Sequence, residues 1–86
     1  MTPSRHRGAK TERALDQLAS GERAVIAGLD CEPAIARRLM ELGLVPGTAV
    51  ELIRRAPLGD PLEVSVRGVH LSLRRSEASR ISVAAR

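Results

Sequence analysis

One eleven-residue stretch, Arg37 to Gly47 with the sequence RRLMELGLVPG, constrains the fold more than any other part of the chain. Ile35, Leu39 and Leu42 are spaced four and three residues apart, so they share one face of a predicted helix. Gly43 follows directly, and glycine most often supplies the left-handed residue just past a helix end because it has no Cβ to clash. The stretch therefore predicts a helix that stops at Gly43.

The residues after Gly43 predict how the chain leaves this helix. Leu44 stands where a helix-ending turn places an apolar side chain that folds back on Leu39. Pro46 and Gly47 then suit the two central positions of a type II turn, since proline presets φ at the first and glycine supplies the positive φ at the second. Gly43, Pro46 and Gly47 are thus the structural turn residues of a helix-to-strand switch.

Alternation of apolar and polar residues predicts a mainly β fold around this switch. We expect strands at residues 22–29, 48–54, 62–67 and 69–74, and a fifth strand around Ile81 and Val83. One α-helix at about 33–42 is inserted between the first two strands, and a short helical turn lies near 75–79. Five short strands of this kind form a small barrel most readily, because closure removes exposed strand edges.

Two strands carry more detailed expectations. In the first, Val25 and Leu29 face one side and Ile26 the other, so both faces are apolar and both are expected to be covered; Gly28 within it indicates a bulge. In the strand 69–74, the residues Val69, Leu71 and Leu73 are expected to face inward.

The chain has 86 residues and a net charge of +4, and residues 1–13 account for +3 of that charge. We expect residues 1–13 to be a disordered basic tail and residues 14–86 to be the single folded domain. Around residues 11–18 a short helical turn is expected, with Leu15 and Leu18 inward. The sequence has no apolar run long enough for a membrane span and no secretory pattern, so we expect a cytoplasmic protein.

Residues capable of catalysis or metal binding are few. Cys31 is the one cysteine, and His6 and His70 are the two histidines. They fall into no nucleophile–base arrangement and no paired ligand spacing, so we expect no catalytic residues, no metal site and no cofactor. Three arginine pairs could contact phosphates, but the chain has no Phe, Tyr or Trp on which bases could stack, so no nucleic acid is expected.

Five segments together resemble one known protein family. They are residues 18–22 (LASGE), 38–48 (RLMELGLVPGT), 56–62 (APLGDPL), 67–74 (RGVHLSLR) and 77–78 (EA). The chain is similar here, over about residues 15–83, to the FeoA family of small cytosolic proteins of bacterial ferrous iron transport. The resemblance implies an SH3-like barrel with an inserted helix, and a non-enzymatic accessory protein.

The resemblance also implies a partner, the FeoB-type ferrous iron permease, whose cytoplasmic region the protein binds so as to modulate its activity or assembly. Contact with the membrane is then expected through the permease alone, at the inner face, and self-association into a homo-oligomer stays open. The alternative function is a regulatory or nucleic-acid-binding module, since the same barrel resembles the C-terminal domain of iron-dependent repressors.

The loop at residues 56–61 is the first candidate for the partner surface. Its two prolines limit backbone freedom, so ordering the loop on binding costs little entropy. Leu58, Gly59 and Asp60 form the tip, where an apolar side chain held outward can anchor in a partner pocket. The opposing interpretation is that Leu58 caps the open end of the barrel. The second candidate surface is the exposed helix face with Arg38 and Glu41.

Overall fold

The structure, a computed structural model, describes residues 12–85. Its strands are β1 (Glu12–Ala14), β2 (Arg23–Leu29), β3 (Ala49–Arg55), β4 (Leu62–Val66), β5 (Val69–Leu73) and β6 (Ile81–Ala85). A 3-10 helix (Leu15–Gln17) follows β1, helix α1 (Pro33–Glu41) lies between β2 and β3, and the one-turn helix α2 (Arg75–Ala78) lies between β5 and β6. The predicted helix, helical turn and five strands are therefore confirmed, with ends that differ by a few residues.

All six strands form one antiparallel sheet in the order β1-β6-β2-β3-β4-β5, which makes β1 and β5 its two terminal strands. The sheet curls around a single apolar core to which five strands and all three helices contribute. Its fully buried members are mostly branched aliphatic residues: Leu15, Leu18, Ala24, Ile26, Leu39, Leu44, Val50, Leu52, Leu62, Val64, Val66, Leu73, Ala78, Ile81 and Val83. The expected mainly β, barrel-like architecture is thus confirmed. Within residues 12–85, however, β1 and β5 do not pair with each other, so the closure that was expected to remove strand edges is incomplete.

The end of α1 has the predicted geometry. Gly43 has φ +110°, and its N–H donates to the carbonyl of Met40 at 3.0 Å. The N–H of Leu44 donates to the carbonyl of Leu39, also at 3.0 Å, which completes the paired hydrogen bonds of a Schellman motif. Leu39 and Leu44 are both fully buried, so this helix end is fixed to the core.

Two turns set the register of the strands. In the predicted type II turn, Gly47 has φ +91° and the N–H of Thr48 donates to the carbonyl of Val45 at 3.1 Å. Between β4 and β5, Arg67 and Gly68 both have positive φ, 54° and 79°. Positive φ at both central positions defines the type I′ turn, whose twist matches that of a two-residue hairpin.

The expectation that β2 is covered on both faces is wrong. Ala24 and Ile26 are buried on one face, but Ala27 is exposed and Val25 only half-buried on the other. Helix α1, whose one fully buried residue is Leu39, packs on the core side and leaves the outer face open. The predicted bulge is confirmed, because the pairing of β2 with β6 shifts register between Ile26 and Gly28.

The expectation that Val69 lies inward is also wrong, since its side chain is 52% exposed. The strand period is right, because Leu73 is buried and Leu71 half-buried. Since β5 is a terminal strand of the described sheet, however, no strand within residues 12–85 covers the side of Val69 that faces away from β4. Position in the sheet, which alternation does not encode, decided its exposure.

The boundary between tail and domain also needs correction, because Glu12 and Arg13 lie in β1 and pair with Ala84 and Val83 of β6. Residues 1–11, where most of the predicted tail lies, are outside the described residues. Leu15 and Leu18 point inward as predicted, Leu15 from the 3-10 helix.

Candidate partner-binding surface

Loop 56–61 holds Leu58 outward. The N–H of Ala56 donates to the carbonyl of Pro61 at 3.0 Å, which closes the loop at its base. The N–H of Gly59, whose φ is +86°, donates to the carbonyl of Ala56 at 2.7 Å and closes the tip. Leu58 is 94% exposed, so the interpretation that it caps the barrel is wrong. An apolar side chain on a closed loop loses little backbone entropy when a partner covers it.

Asp60 has a structural partner within the fold. Its Oδ1 accepts a hydrogen bond from the backbone N–H of Arg75, the first residue of α2, at 3.0 Å. Such an N–H has no partner inside its own helix, and a carboxylate is a favourable acceptor at this end of a helix. Asp60 therefore fastens the Leu58 loop to α2.

Arg38 of α1 is engaged as well. It forms an ion pair with Oε2 of Glu77 in α2, and the Glu77 side chain is only 14% exposed. Oε1 of Glu77 also accepts from the backbone N–H of Arg74 at 3.3 Å, a capping interaction at the start of α2. Because of this pair, α1 is held to α2 by a charge contact in addition to core packing.

The two predicted surfaces meet the same short helix without merging. The loop with Leu58 and Gly59 contacts α2 through Asp60, which accepts from the N–H of Arg75. Arg38 contacts α2 through its ion pair with Glu77. Glu41 lies farther along α1, beside Met40, on a mostly apolar groove of about 470 Å³. The sequence analysis gave α2 no role. The signal that could have found Glu77 is its place three residues after Arg74, the residue before α2, which is the spacing of a capping box.

A second groove, of about 490 Å³, contains the single cysteine. It lies between the start of α1 and α2 and is lined by Asp30, Cys31, Glu32, Ile35, Ser76, Glu77 and Arg80. Partial burial, with the negative charge of Asp30 as a lesser cause, raises the pKa of the Cys31 thiol above its ordinary value of 9.0. The thiol is therefore protonated at neutral pH, which makes it a poor nucleophile and a poor metal ligand. Among residues 12–85, three or more His, Cys, Asp or Glu side chains nowhere gather in a metal-binding arrangement.

The charges of the described part of the chain balance. Residues 12–85 contain ten arginines and ten acidic residues. Five of these arginines form ion pairs with carboxylates: Arg13, Arg23, Arg38, Arg54 and Arg80. Nucleic-acid-binding proteins usually have a strongly basic face, and such a balance of charges does not indicate one. In this part of the chain, moreover, the helices are too short or too polar to cross a membrane.

The described part of the chain is thus a small mainly β barrel with balanced charges and an exposed apolar side chain at the tip of loop 56–61. The FeoA domain family model matches residues 13–85, and the chain belongs to the FeoA family. Its SH3-like barrel is therefore that of a family concerned with ferrous iron transport.

Similar proteins of known structure agree with this assignment. The FeoA protein of Chlorobium tepidum is 47% identical and superimposes with a TM-score of 0.81 over 84% of this chain and 69% of that one. FeoA of Stenotrophomonas maltophilia, an SH3 domain protein whose structure is a zinc complex, is 40% identical, with a TM-score of 0.72 over 81% of this chain and 87% of that one. A manganese-dependent transcriptional repressor, 18% identical, shares the fold with a TM-score of 0.79 over 87% of this chain and 42% of that one.

A relative in Porphyromonas gingivalis joins two parts in one chain. This Fe(2+) transport protein A/Fe(2+) transporter FeoB fusion protein is 33% identical over 69 residues. The match covers 80% of the present chain but only 8% of the fusion protein. The chain thus corresponds to a small part of that relative.

Proposed function

We propose that this protein is a non-enzymatic accessory protein of ferrous iron uptake that binds the cytoplasmic region of an FeoB-type permease and modulates its activity or assembly. In this role the protein works in the cytoplasm, at the inner face of the membrane, and reaches the membrane through the permease.

The observation that carries the proposal is the fusion. The P. gingivalis relative contains transport protein A and the transporter FeoB in one polypeptide. Fusion keeps two modules at a high effective concentration, which is useful when the separate modules otherwise have to find one another. For the present chain, an association between separate molecules would serve the same purpose.

The surface proposed for this contact is the tip of loop 56–61. Leu58 is 94% exposed, and Asp60 fastens the loop to α2. Anchoring residues of interfaces are commonly apolar side chains that fill a pocket of the partner. The face of α1 with Arg38 and Glu41 is the second choice, because Arg38 is already paired with Glu77.

The test is the variant Leu58→Asp, assayed for capture of the permease. Because the Leu58 side chain is already exposed in the folded protein, the substitution removes almost no buried apolar area. The melting temperature of the variant should stay within a few degrees of the parent, while capture should be lost. Leu58→Met is the matched control, since it keeps an apolar anchor of similar volume and should bind as the parent does. A folded Leu58→Asp protein that still binds would exclude the loop, and Glu41→Arg would then test the α1 face.

The nucleic-acid alternative is separated by a second measurement. At about 150 mM salt, where phosphate contacts from a few arginines contribute little, a chain of residues 12–86, which keeps β1, should not retard labelled DNA or RNA. Its balance of ten arginines and ten acids over residues 12–85 supports this expectation. Specific retardation at that salt concentration would favour the regulatory alternative.

A further inference from the structure

The edge of β5 that faces away from β4 carries unused backbone hydrogen-bonding groups. Val66 and Val69 flank the two-residue turn and face each other, so they form a hydrogen-bonded pair. Hydrogen-bonded pairs alternate along the ladder, and the N–H and C=O groups of His70 and Ser72 therefore point away from β4. Within residues 12–85 β5 has no second neighbouring strand, and no turn or loop hydrogen bond joins these groups.

The core side of this edge is also incompletely covered. Val69 is 52% exposed and Leu71 half-buried, although both lie on the same face of β5 as the buried Leu73. Leu42 is 42% exposed; its neighbour Gly43 lies close to Val66, the residue paired with Val69. Partly exposed apolar side chains therefore lie along β5, and Leu42 adds another at the end of α1, beside the glycine that approaches Val66.

Natural sheets usually protect a terminal strand with charged side chains, proline or a bulge. Strand β5, VHLSL, has no charged or proline residue, and its pairing with β4 shows no register shift. By contrast β1, at the other end of the sheet, is three residues long and contains Glu12 and Arg13. Of the two terminal strands in the described part of the chain, β5 therefore has the features of an edge to which another strand can be added.

The charges at both ends of β5 indicate what kind of strand can be added to this edge. Arg67 precedes it, and Arg74 and Arg75 follow it. Within the described residues none of the three guanidinium groups lies within 4.0 Å of a carboxylate oxygen, unlike those of the five arginines that form ion pairs. A second copy added antiparallel would bring Arg67 next to Arg74 and Arg75 of its neighbour, which is unfavourable. A segment with carboxylates at both ends would find complementary charge.

We propose that the open edge of β5 is a strand-addition site for an extended segment of the permease, with apolar residues in alternation and acidic residues at its two ends. Hydrogen bonds to His70 and Ser72 hold the added strand. Its apolar side chains cover Val69, Leu71 and Leu42, and its acidic ends meet Arg67 and Arg74. This inference rests on the proposed function, because it names a contact between the same two proteins.

The experiment is hydrogen–deuterium exchange of the full chain, followed by mass spectrometry with fragmentation, with and without detergent-solubilised FeoB-type permease. Exchange at His70 and Ser72 should slow by roughly tenfold or more on complex formation. The amides of Val69, Leu71 and Leu73, already bonded to β4, should change little.

Three variants accompany the exchange measurement. Ser72→Pro removes one outward N–H at an edge position where proline is tolerated, and should weaken binding by roughly tenfold. Arg74→Asp places a good capping residue before α2 and should weaken binding several-fold, more at low salt. Arg23→Gln, on the outer face of β2, is the matched control and should bind as the parent does.

The outcomes separate this inference from the proposed function. If the parent binds and Leu58→Asp does not, but Ser72→Pro binds normally, the accessory function stands and the strand-addition site is wrong. If the parent does not bind the permease, both fail. If His70 and Ser72 become protected merely on raising the concentration of the chain alone, and Ser72→Pro prevents this, a second copy occupies the edge and the proposal is overturned.

Discussion

Gly43 and Val66 lie so close that a Cβ atom on Gly43 would be 3.3 Å from Cγ1 of Val66. Gly43 ends α1 with φ +110°, and Val66 is the last residue of β4. Helix end and sheet are therefore joined at a position where both backbone conformation and space favour glycine.

Gly43→Val should destabilise the fold by more than about 1 kcal/mol, because a β-branched residue is forced to positive φ and against Val66. Urea denaturation measures the change. Gly47→Val is the matched comparison, since Gly47 also has positive φ, +91°, but open space where its Cβ would stand. It should cost less than Gly43→Val. An unchanged melting temperature for Gly43→Val would show that the left-handed cap is unimportant.

The adjacent arginines at the end of β3 should differ in their contribution to stability. Arg55 is half-buried and donates to the carbonyls of Asp16 and Leu18, at 2.5 and 2.6 Å, which fastens the 3-10 helix to β3. Arg54 is exposed and pairs with Glu63 at 3.2 Å. Hydrogen bonds from a charged group contribute about 1.5–3 kcal/mol, whereas an exposed ion pair contributes about 0–1 kcal/mol.

Arg55→Met should accordingly lower the free energy of unfolding by about 1–3 kcal/mol, while Arg54→Met should lower it by less than about 1 kcal/mol. Both substitutions keep most of the aliphatic stem, so the difference isolates the polar contacts. Equal losses in urea denaturation would contradict the role assigned to the Asp16 and Leu18 carbonyls.

The local signals of the sequence predicted the local structure well. The helix end at Gly43 and the turn at Pro46 and Gly47 are encoded within a few residues, because glycine and proline fix φ whatever surrounds them. Strands β4 and β5 followed from alternation, which needs no knowledge of neighbours, whereas β1 was missed because a helical turn was expected around residues 11–18. The exposure of Val69 was missed because it depends on β5 being the last strand of the sheet, and sheet order is a property of the whole chain.

The candidate surface was predictable to a similar extent. The exposure of Leu58 followed from its position in a loop between proline and glycine. The contacts that hold the loop and α1 in place did not follow from the sequence. Asp60 accepts from the backbone N–H of Arg75, fifteen residues away, and Arg38 pairs with Glu77, thirty-nine residues away. No periodicity selects such partners among ten acids and ten arginines; the fold must bring them together first.

Acidification should weaken the attachment of β1. Arg13 of β1 forms an ion pair with Glu22, which also accepts from the N–H of Ala19 at 2.9 Å. The hydrogen bond from Arg13, with that from Ala19 second, lowers the pKa of Glu22 below its ordinary value of 4.5. A carboxyl whose pKa is lower in the folded state than in the unfolded state stabilises the fold above the unfolded pKa. That contribution is lost as the pH falls through the folded pKa.

The measurement is the urea midpoint of the parent and of Glu22→Gln between pH 7 and pH 3. Glu22→Gln keeps the shape and an acceptor oxygen but has no charge, so the parent should be the more stable at pH 7. The difference should shrink below about pH 4.5, where the Glu22 carboxyl begins to bind a proton in the unfolded chain. Arg13→Gln should show the same convergence, because it removes the other half of the pair. A difference between parent and Glu22→Gln that stays constant down to pH 3 would show that the Arg13–Glu22 contact does not hold β1 in solution.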